Sequence, residues 1–341
     1  MPSFYNCNCF ITHNIYIKEL DRHFKFLDSL QFFKDYGELL SSRGYADSTK
    51  RKHLLQQIIE EVERRKHLDE DAVERTKYLQ QHYNPLDTSI FNLQDGFLDP
   101  SFIKLVNAAK SLNLDKTVRL LDVISEEKKL YGFPVINEAF CDQLLTELDH
   151  YQKSPLPKGR PNSMNRYGVL LDELGFHDNF SKILRTKYLD PLANILFPEW
   201  RGNELDSHKV FTVGYKIDDD LELGYHFDNS EVTLNICLGK SFEGGELYFG
   251  DLRTVPIMES TCTIVPHKKG YGIFHRGQQL HGALPISKGE RHNIILWMRS
   301  SSVRNKLCPM CNSSPVLSPS SGYGDGFTAA ENNCVKMCNV T

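Results

Sequence analysis

The chain has 341 residues, 40% of them apolar and 25% charged, and a formal charge of -4 at pH 7. That length and apolar content can support one large core with an appendage, or two domains. The weak negative charge and the lack of a long basic run give no reason to expect a nucleic-acid or membrane partner.

The first residues, MPSFYNCNCFITHNIYIKEL, lack a basic region followed by an apolar core and a small-residue cleavage site, and no run of eighteen apolar residues occurs anywhere. The sequence therefore reads as soluble and not secreted. Nine cysteines, an odd number scattered through regular-looking segments, suit a reducing compartment, so cytosol or nucleus is expected and the sequons at Asn179, Asn312 and Asn339 are read as unused.

The N-terminal third reads as helical. After Asp47-Ser48-Thr49, Leu54, Leu55, Ile58, Ile59 and Val62 recur at helical spacing among charges and form one apolar stripe. Asp99-Pro100 supplies a cap and a first-turn proline for a helix carrying Phe102, Leu105, Val106 and Ala109. Another helix is expected from Asp115 to near Gly132. No chemistry is visible in this third, which reads as a helical domain or a brace. FPVINEAFCDQLLTELDHYQ then reads as a short strand and a helix with Phe140, Leu144 and Leu148 on one face. Pro155, Pro157, Gly159 and Pro161 make the next stretch a loop. The RPNSMNRYGVLL that follows can reach over a cleft or cap a sheet edge, and the edge is the favoured reading.

Between Lys209 and Arg299 the texture is a series of short strands: KVFTVGYK, LGYHFD, EVTLNICL, ELYFG, TCTIV, YGIFH and RHNIILWMR, separated by turn-rich IDDD, FEGG and SKGE. Strands at this spacing without intervening helices predict an antiparallel barrel or double-sheet jelly roll, in which inward-facing residues converge. Within it, Thr233 and Asn235 share the face opposite to Val232, Leu234 and Ile236, pointing either inward or to solvent.

A His-x-Asp pair is by itself a weak signal, expected about once by chance in this chain. Two occur, His67-Leu68-Asp69 and His226-Phe227-Asp228. On a helix, residues two apart point about 200° away from each other, whereas on a strand they share a face. His67 and Asp69 are thus poorly placed to grip one ion, and His226 and Asp228 are well placed. A third ligand must come from His267, His275, His281 or His292. His267 stands in the basic turn PHKKG, and His292 adjoins Arg291, so only one of that pair faces inward. His281 opens a strand after the turn RGQQ and ranks first. Two imidazoles and one carboxylate on one face of an ion form the facial triad of non-haem Fe(II) oxygenases, which leaves three positions open. An arginine nearby suits a carboxylate, because its planar fork makes two parallel hydrogen bonds and keeps its proton.

The run HFD, then His281, then Arg291, with FEGGELYFG between and LHGALPISKGERHNIILW closing it, resembles the 2-oxoglutarate- and Fe(II)-dependent dioxygenases of the prolyl and lysyl hydroxylase type. Residues 130–311, including RPNSMNRYGVLL and SSSVRNKLCPMC, resemble one animal group among them. The resemblance implies an α+β chain whose catalytic domain is a double-stranded β-helix (jelly roll) with supporting helices. It divides the chain into a helical N-terminal region (1–132), a dioxygenase domain (133–300, core about 206–300) and a cysteine-containing, partly flexible tail (301–341). It also implies that His226, Asp228 and His281 bind Fe(II), that Arg291 binds the C5 carboxylate of 2-oxoglutarate, and that ascorbate keeps the iron reduced. Tyr215 matches a tyrosine lining the cosubstrate pocket, an ordinary sheet aromatic being the other reading. The implied reaction uses O2 to couple decarboxylation of 2-oxoglutarate to succinate with hydroxylation of a protein or peptide substrate. An inactive scaffold or binding module of the same fold stays as the alternative. In the tail, Cys308, Cys311, Cys334 and Cys338 can form a zinc site, but the long glycine-rich loop between the pairs favours free thiols.

Overall fold

The computed structural model describes residues 4–320 and 327–329. Its first segment is not helical but folds into three short strands, β1 (Phe4–Cys7), β2 (Ile15–Ile17) and β3 (Arg22–Phe24), with the single-turn helix α1 (Cys9–Thr12) between the first two. β2 and β3 pair with each other as a two-stranded antiparallel ribbon, Ile15 opposite Phe24, and Ile15, Ile17 and Phe24 share its buried face. They are buried against α2 (Ser29–Ser42) and α3 (Ser48–His82) through Phe32, Leu40, Leu54 and Ile58. The Asp47 carboxylate caps α3 by accepting from the amides of Thr49 and Lys50, at 2.8 and 3.0 Å. Helix α4 (Pro100–Lys110) starts with Asp99 as cap and Pro100 in the first turn.

The helix expected from Asp115 stops early. Helix α5 spans Leu114–Val118, and β4 (Asp122–Ser125) and β5 (Leu130–Pro134) follow as a hairpin turned at Lys129, whose φ is +50°. Pairing of β5 with β12 (Tyr271–Arg276) decides the matter, because a sheet edge offers hydrogen-bond partners that local helix propensity does not outweigh. A division at 132/133 therefore falls inside a strand of the jelly roll. Helix α6 (Glu138–Lys153) then packs Phe140, Leu144 and Leu148 into the core, and further helical turns run from Asp172 to Leu196.

The remaining strands are β6 (Ser207–Lys216), β7 (Leu223–His226), β8 (Val232–Gly239), β9 (Phe242–Gly244), β10 (Leu247–Leu252), β11 (Thr263–Val265), β13 (Gln279–Ala283) and β14 (Ile286–Arg299). They form two antiparallel sheets, a larger one in the order β4-β5-β12-β8-β14-β6 with β9 on β14, and a smaller one in the order β11-β10-β13-β7. The fold is the jelly roll, class α+β. Alternation along β8 and β14 sorts the two cores. Val232, Leu234, Ile236, Ile294, Leu296 and Met298 face the helices, whereas Ile295 and Trp297 pack between the sheets with Phe211, Leu247, Phe249 and Ile273.

SKGE, read as a turn, lies within β14. Gly289 has φ +73°, and a Cβ there would stand 1.9 Å from the Ser241 carbonyl oxygen, so the strand bends without ending. Part of the expected tail loop also forms strands: β15 (Leu317–Ser320) and β16 (Phe327–Ala329) flank β1 in a separate sheet. Cys334 and Cys338 lie outside the described residues. Among those described, no helix is long and apolar enough to cross a membrane.

Candidate metal centre

His226 ends β7 and His281 sits mid-β13, directly opposite it in the antiparallel register. Asp228 follows two residues after His226, its amide held by the Gly277 carbonyl at 2.8 Å. The three side chains converge at the mouth between the sheets. Each of their ligand atoms lies within 4.8 Å of the others, with His226 Nε2 and His281 Nε2 each 3.7 Å from an Asp228 oxygen. Both imidazoles hold a backbone carbonyl at Nδ1, His226 that of Gly224 at 2.8 Å and His281 that of Gln279 at 2.9 Å. Donation there puts the proton on Nδ1 and aims both Nε2 lone pairs at the shared space. Thr233 Oγ1 donates to Asp228 Oδ2 at 2.7 Å, so Thr233 faces inward. Burial pushes both histidines down to about 4 and raises Asp228 above the ordinary carboxylate range. At neutral pH the imidazoles are thus unprotonated, the state that ligation requires.

Arg291 and Tyr215 pair in register across β14 and β6, on the interior side. The guanidinium lies 4.6 Å from the Tyr215 ring centroid and 5.8 Å from that of Phe242. Arg291 is 1% exposed, and its Nε, Nη1 and Nη2 have no hydrogen-bond partner among the described residues. A buried cation with three orphaned nitrogens is costly unless an anion enters, and a carboxylate fits a planar fork. FEGGEL makes room for it: Gly244 and Gly245 both have φ +74°, and a Cβ on Gly245 would stand 3.0 Å from Arg291 Nη1. The triad, Tyr215 and Arg291 line one cavity, with Asn235 and Asn293 on its wall.

Of the other histidines, His292 points away from the interior, 3.6 Å from Glu290. His275 is buried 4.8 Å behind the His281 ring with Nδ1 on its neighbour's carbonyl, outside the ligand group. His267 is a residue that sequence reading missed. PHKKG looked like a solvent turn, yet His267 is buried, and its Nδ1 accepts from Asn293 Nδ2 at 3.1 Å, which also donates to Asn235 Oδ1 at 2.7 Å. The RPNSMNRYGVLL stretch takes both expected roles: its second half covers the free edge of β6, where the amides of Thr212 and Gly214 donate to the Val169 and Tyr167 carbonyls at 2.8 and 3.1 Å, and its first half reaches over the cleft. Asn162, Ser163, Met164 and Asn165 reach the cavity, and Asn165 donates to the Tyr215 hydroxyl at 3.4 Å. The N-terminal third is not remote either, since Phe10, His13, His23 and Arg64 line the mouth. His67 and Asp69 lie on α3, where Asp69 accepts from Asn6 at 3.0 Å and His67 is exposed.

A family model described as the OGFOD2-like domain matches residues 79–202. The 2-oxoglutarate and iron-dependent oxygenase domain-containing protein 2 of Xenopus tropicalis is 46% identical over 342 aligned positions, covering 99% of this chain and 98% of that protein. The chain belongs to this family of 2-oxoglutarate and iron-dependent oxygenases. Membership makes it an oxidoreductase that depends on 2-oxoglutarate, Fe(II) and O2. A more distant relative is the human multifunctional procollagen lysine hydroxylase and glycosyltransferase LH3, 30% identical over 181 positions, covering 49% of this chain and 23% of that protein. Among solved structures, a Pseudomonas putida prolyl-4-hydroxylase superposes with a TM-score of 0.39 at 14% identity, over 57% of this chain and 98% of the other. The oxygenase's own donor set fits its family's cofactors: two free imidazole nitrogens and a carboxylate for a divalent iron, and an orphaned guanidinium for a carboxylate.

Proposed function

We propose that the chain hydroxylates a protein side chain, with His226, Asp228 and His281 holding Fe(II) and Arg291 and Tyr215 holding the distal carboxylate of 2-oxoglutarate. The buried, unpartnered guanidinium of Arg291 in the same cavity as the triad carries this reading. When bound, iron and 2-oxoglutarate supply oxidative decarboxylation to succinate and carbon dioxide, with one atom of O2 delivered to a substrate C–H bond. The chain's own residues prepare that chemistry. Carbonyls of Gly224 and Gln279 keep the protons of His226 and His281 on Nδ1. Thr233 orients Asp228, and Phe211, Ile295 and Trp297 wall the cavity on its inner side. Arg291 selects a dianion by offering its charge at the far end of the cavity, where an unpaired carboxylate would otherwise have to shed water.

A protein side chain as substrate is supported by the likeness to the lysine hydroxylase LH3 and by a cavity mouth whose His13, His23 and Arg64 can hydrogen-bond peptide carbonyls beside the apolar Met164. Ascorbate serves to return oxidised iron to Fe(II). The test is anaerobic addition of Fe(II) and 2-oxoglutarate, which gives the visible charge-transfer band of an α-keto-acid chelate in the wild type and none in Asp228→Ala. A band of equal strength in the variant would remove Asp228 from the ligand set. With a substrate in hand, isotope-labelled O2 distinguishes outcomes: label retained in the product marks hydroxylation, whereas released formaldehyde marks demethylation.

A further inference from the structure

Two cysteine pairs that are three hundred residues apart in sequence meet in the fold. The sheet formed by β1, β15 and β16 sets Cys7 and Cys9 beside the loop Cys308-Pro309-Met310-Cys311. All four Sγ atoms lie within 4.8 Å of one another, and Cys9 Sγ is 3.6 Å from Cys308 Sγ. A tetrahedron with Zn–S bonds of about 2.3 Å has edges of about 3.8 Å. A disulfide brings two sulfurs to about 2.05 Å. The observed spacing is that of ligands around one ion. Three of the four thiols are buried and Cys311 is half-buried.

We propose that Cys7, Cys9, Cys308 and Cys311 bind one zinc ion in a tetrahedral all-sulfur site that fastens the N-terminal segment to the Cys308–Cys311 loop beside the active-site mouth. The local backbone is arranged for it. The backbone amides of Met310 and Cys311 hydrogen-bond the Cys308 sulfur. Arg253 supplies part of the counter-charge. Its guanidinium interacts with Cys308, Cys311 and Cys9, donates to the Pro309 carbonyl, and lies 4.2 Å from the Phe227 ring centroid. Phe227 stands between His226 and Asp228, so the sulfur site and the triad strand share one support. Cys9 and Met310 line the same cavity as the triad.

The set differs from the one the sequence left as the alternative to free thiols, Cys308 and Cys311 with Cys334 and Cys338, and a metal assay separates the two. Full-length protein purified without chelator is analysed for zinc by mass spectrometry. The wild type and His226→Ala should each hold one zinc per chain, Cys334→Ser/Cys338→Ser should keep it, and Cys308→Ser/Cys311→Ser should lose it. Should the last variant fold poorly, cobalt loaded into the wild type in place of zinc should show intense sulfur-to-metal charge transfer and tetrahedral visible bands. A thiol-specific mercurial should release the wild type's zinc as four thiols react. The proposal is overturned if wild-type protein holds no zinc, if His226→Ala or Cys334→Ser/Cys338→Ser loses it, if cobalt shows no sulfur charge transfer, or if disulfides join these cysteines in the purified protein.

Discussion

Replacing Arg291 with methionine should move cosubstrate affinity and stability in opposite directions. The guanidinium is 1% exposed, lies against Tyr215 and Phe242, and has three nitrogens without a hydrogen-bond partner among the described residues. A carboxylate received by two of them makes two charge-assisted hydrogen bonds, each contributing about 1.5–3 kcal/mol. Their loss, about 3–6 kcal/mol, predicts 2-oxoglutarate binding weakened about 100- to 20,000-fold, measured by anaerobic calorimetry on protein loaded with manganese to prevent turnover. Metal affinity should change little, because Arg291 is not among the ligand group. In the absence of 2-oxoglutarate, methionine removes a buried unpaired charge and keeps apolar contact, which should stabilise the fold by about 1–3 kcal/mol. At this chain length that corresponds to about 1–2 °C of melting temperature per kcal/mol. Unchanged 2-oxoglutarate affinity together with a lowered melting temperature would refute the reasoning, since Arg291 would then be a structural cation with partners of its own.

Other consequences follow from the same geometry. Thr233→Val removes the hydroxyl that orients Asp228 at nearly constant volume, and iron affinity should fall about 10-fold in an equilibrium chelator competition. Gly245→Ala forces a side chain into a left-handed conformation costing about 1–2 kcal/mol and crowds Arg291 Nη1, so 2-oxoglutarate KM should rise about 10-fold while metal binding holds. Acidification should destabilise the metal-free fold. Burial pushes His208, His226 and His281 down to about 4 and His267 to about 3, so the unfolded chain takes up protons from about pH 6.5 downward while the folded one does not until near pH 4. Stability is therefore lost as pH falls through that window, by several kcal/mol in total, and denaturation curves at pH 7.5 and 5.5 would expose a flat profile if the reasoning were wrong.

How far the sequence alone reached depends on the range of the contacts involved. His226 and Asp228 were legible because strand alternation puts residues two apart on one face, and the side of β14 that Arg291 occupies follows from the same rule. The strand series disclosed the jelly roll, although Gly289 bends β14 through SKGE where a turn is expected, and the 122–134 hairpin begins inside the helix expected to reach Gly132. Pairing with β12 decides that hairpin, and nothing in its local pattern announces the partner. His267 was hidden because a lysine-rich turn gives no sign that its histidine folds inward onto Asn293. The mouth was hidden for a stronger reason. Asn162–Asn165, Phe10, His13 and His23 reach the cavity only through tertiary closure, which leaves no periodic trace in the sequence. The sulfur cluster is the extreme case, joining Cys7 and Cys9 to Cys308 and Cys311.

The central claim is that this cavity turns over 2-oxoglutarate on a metal held by the triad. The measurement that tests it most directly is succinate formation by anaerobically Fe(II)-loaded protein given 2-oxoglutarate and then oxygen, in wild type and His226→Ala side by side. The account predicts slow succinate release without added substrate in the wild type and none in the variant. Folded, iron-loaded wild type that forms no succinate, or a variant that forms as much, would contradict it.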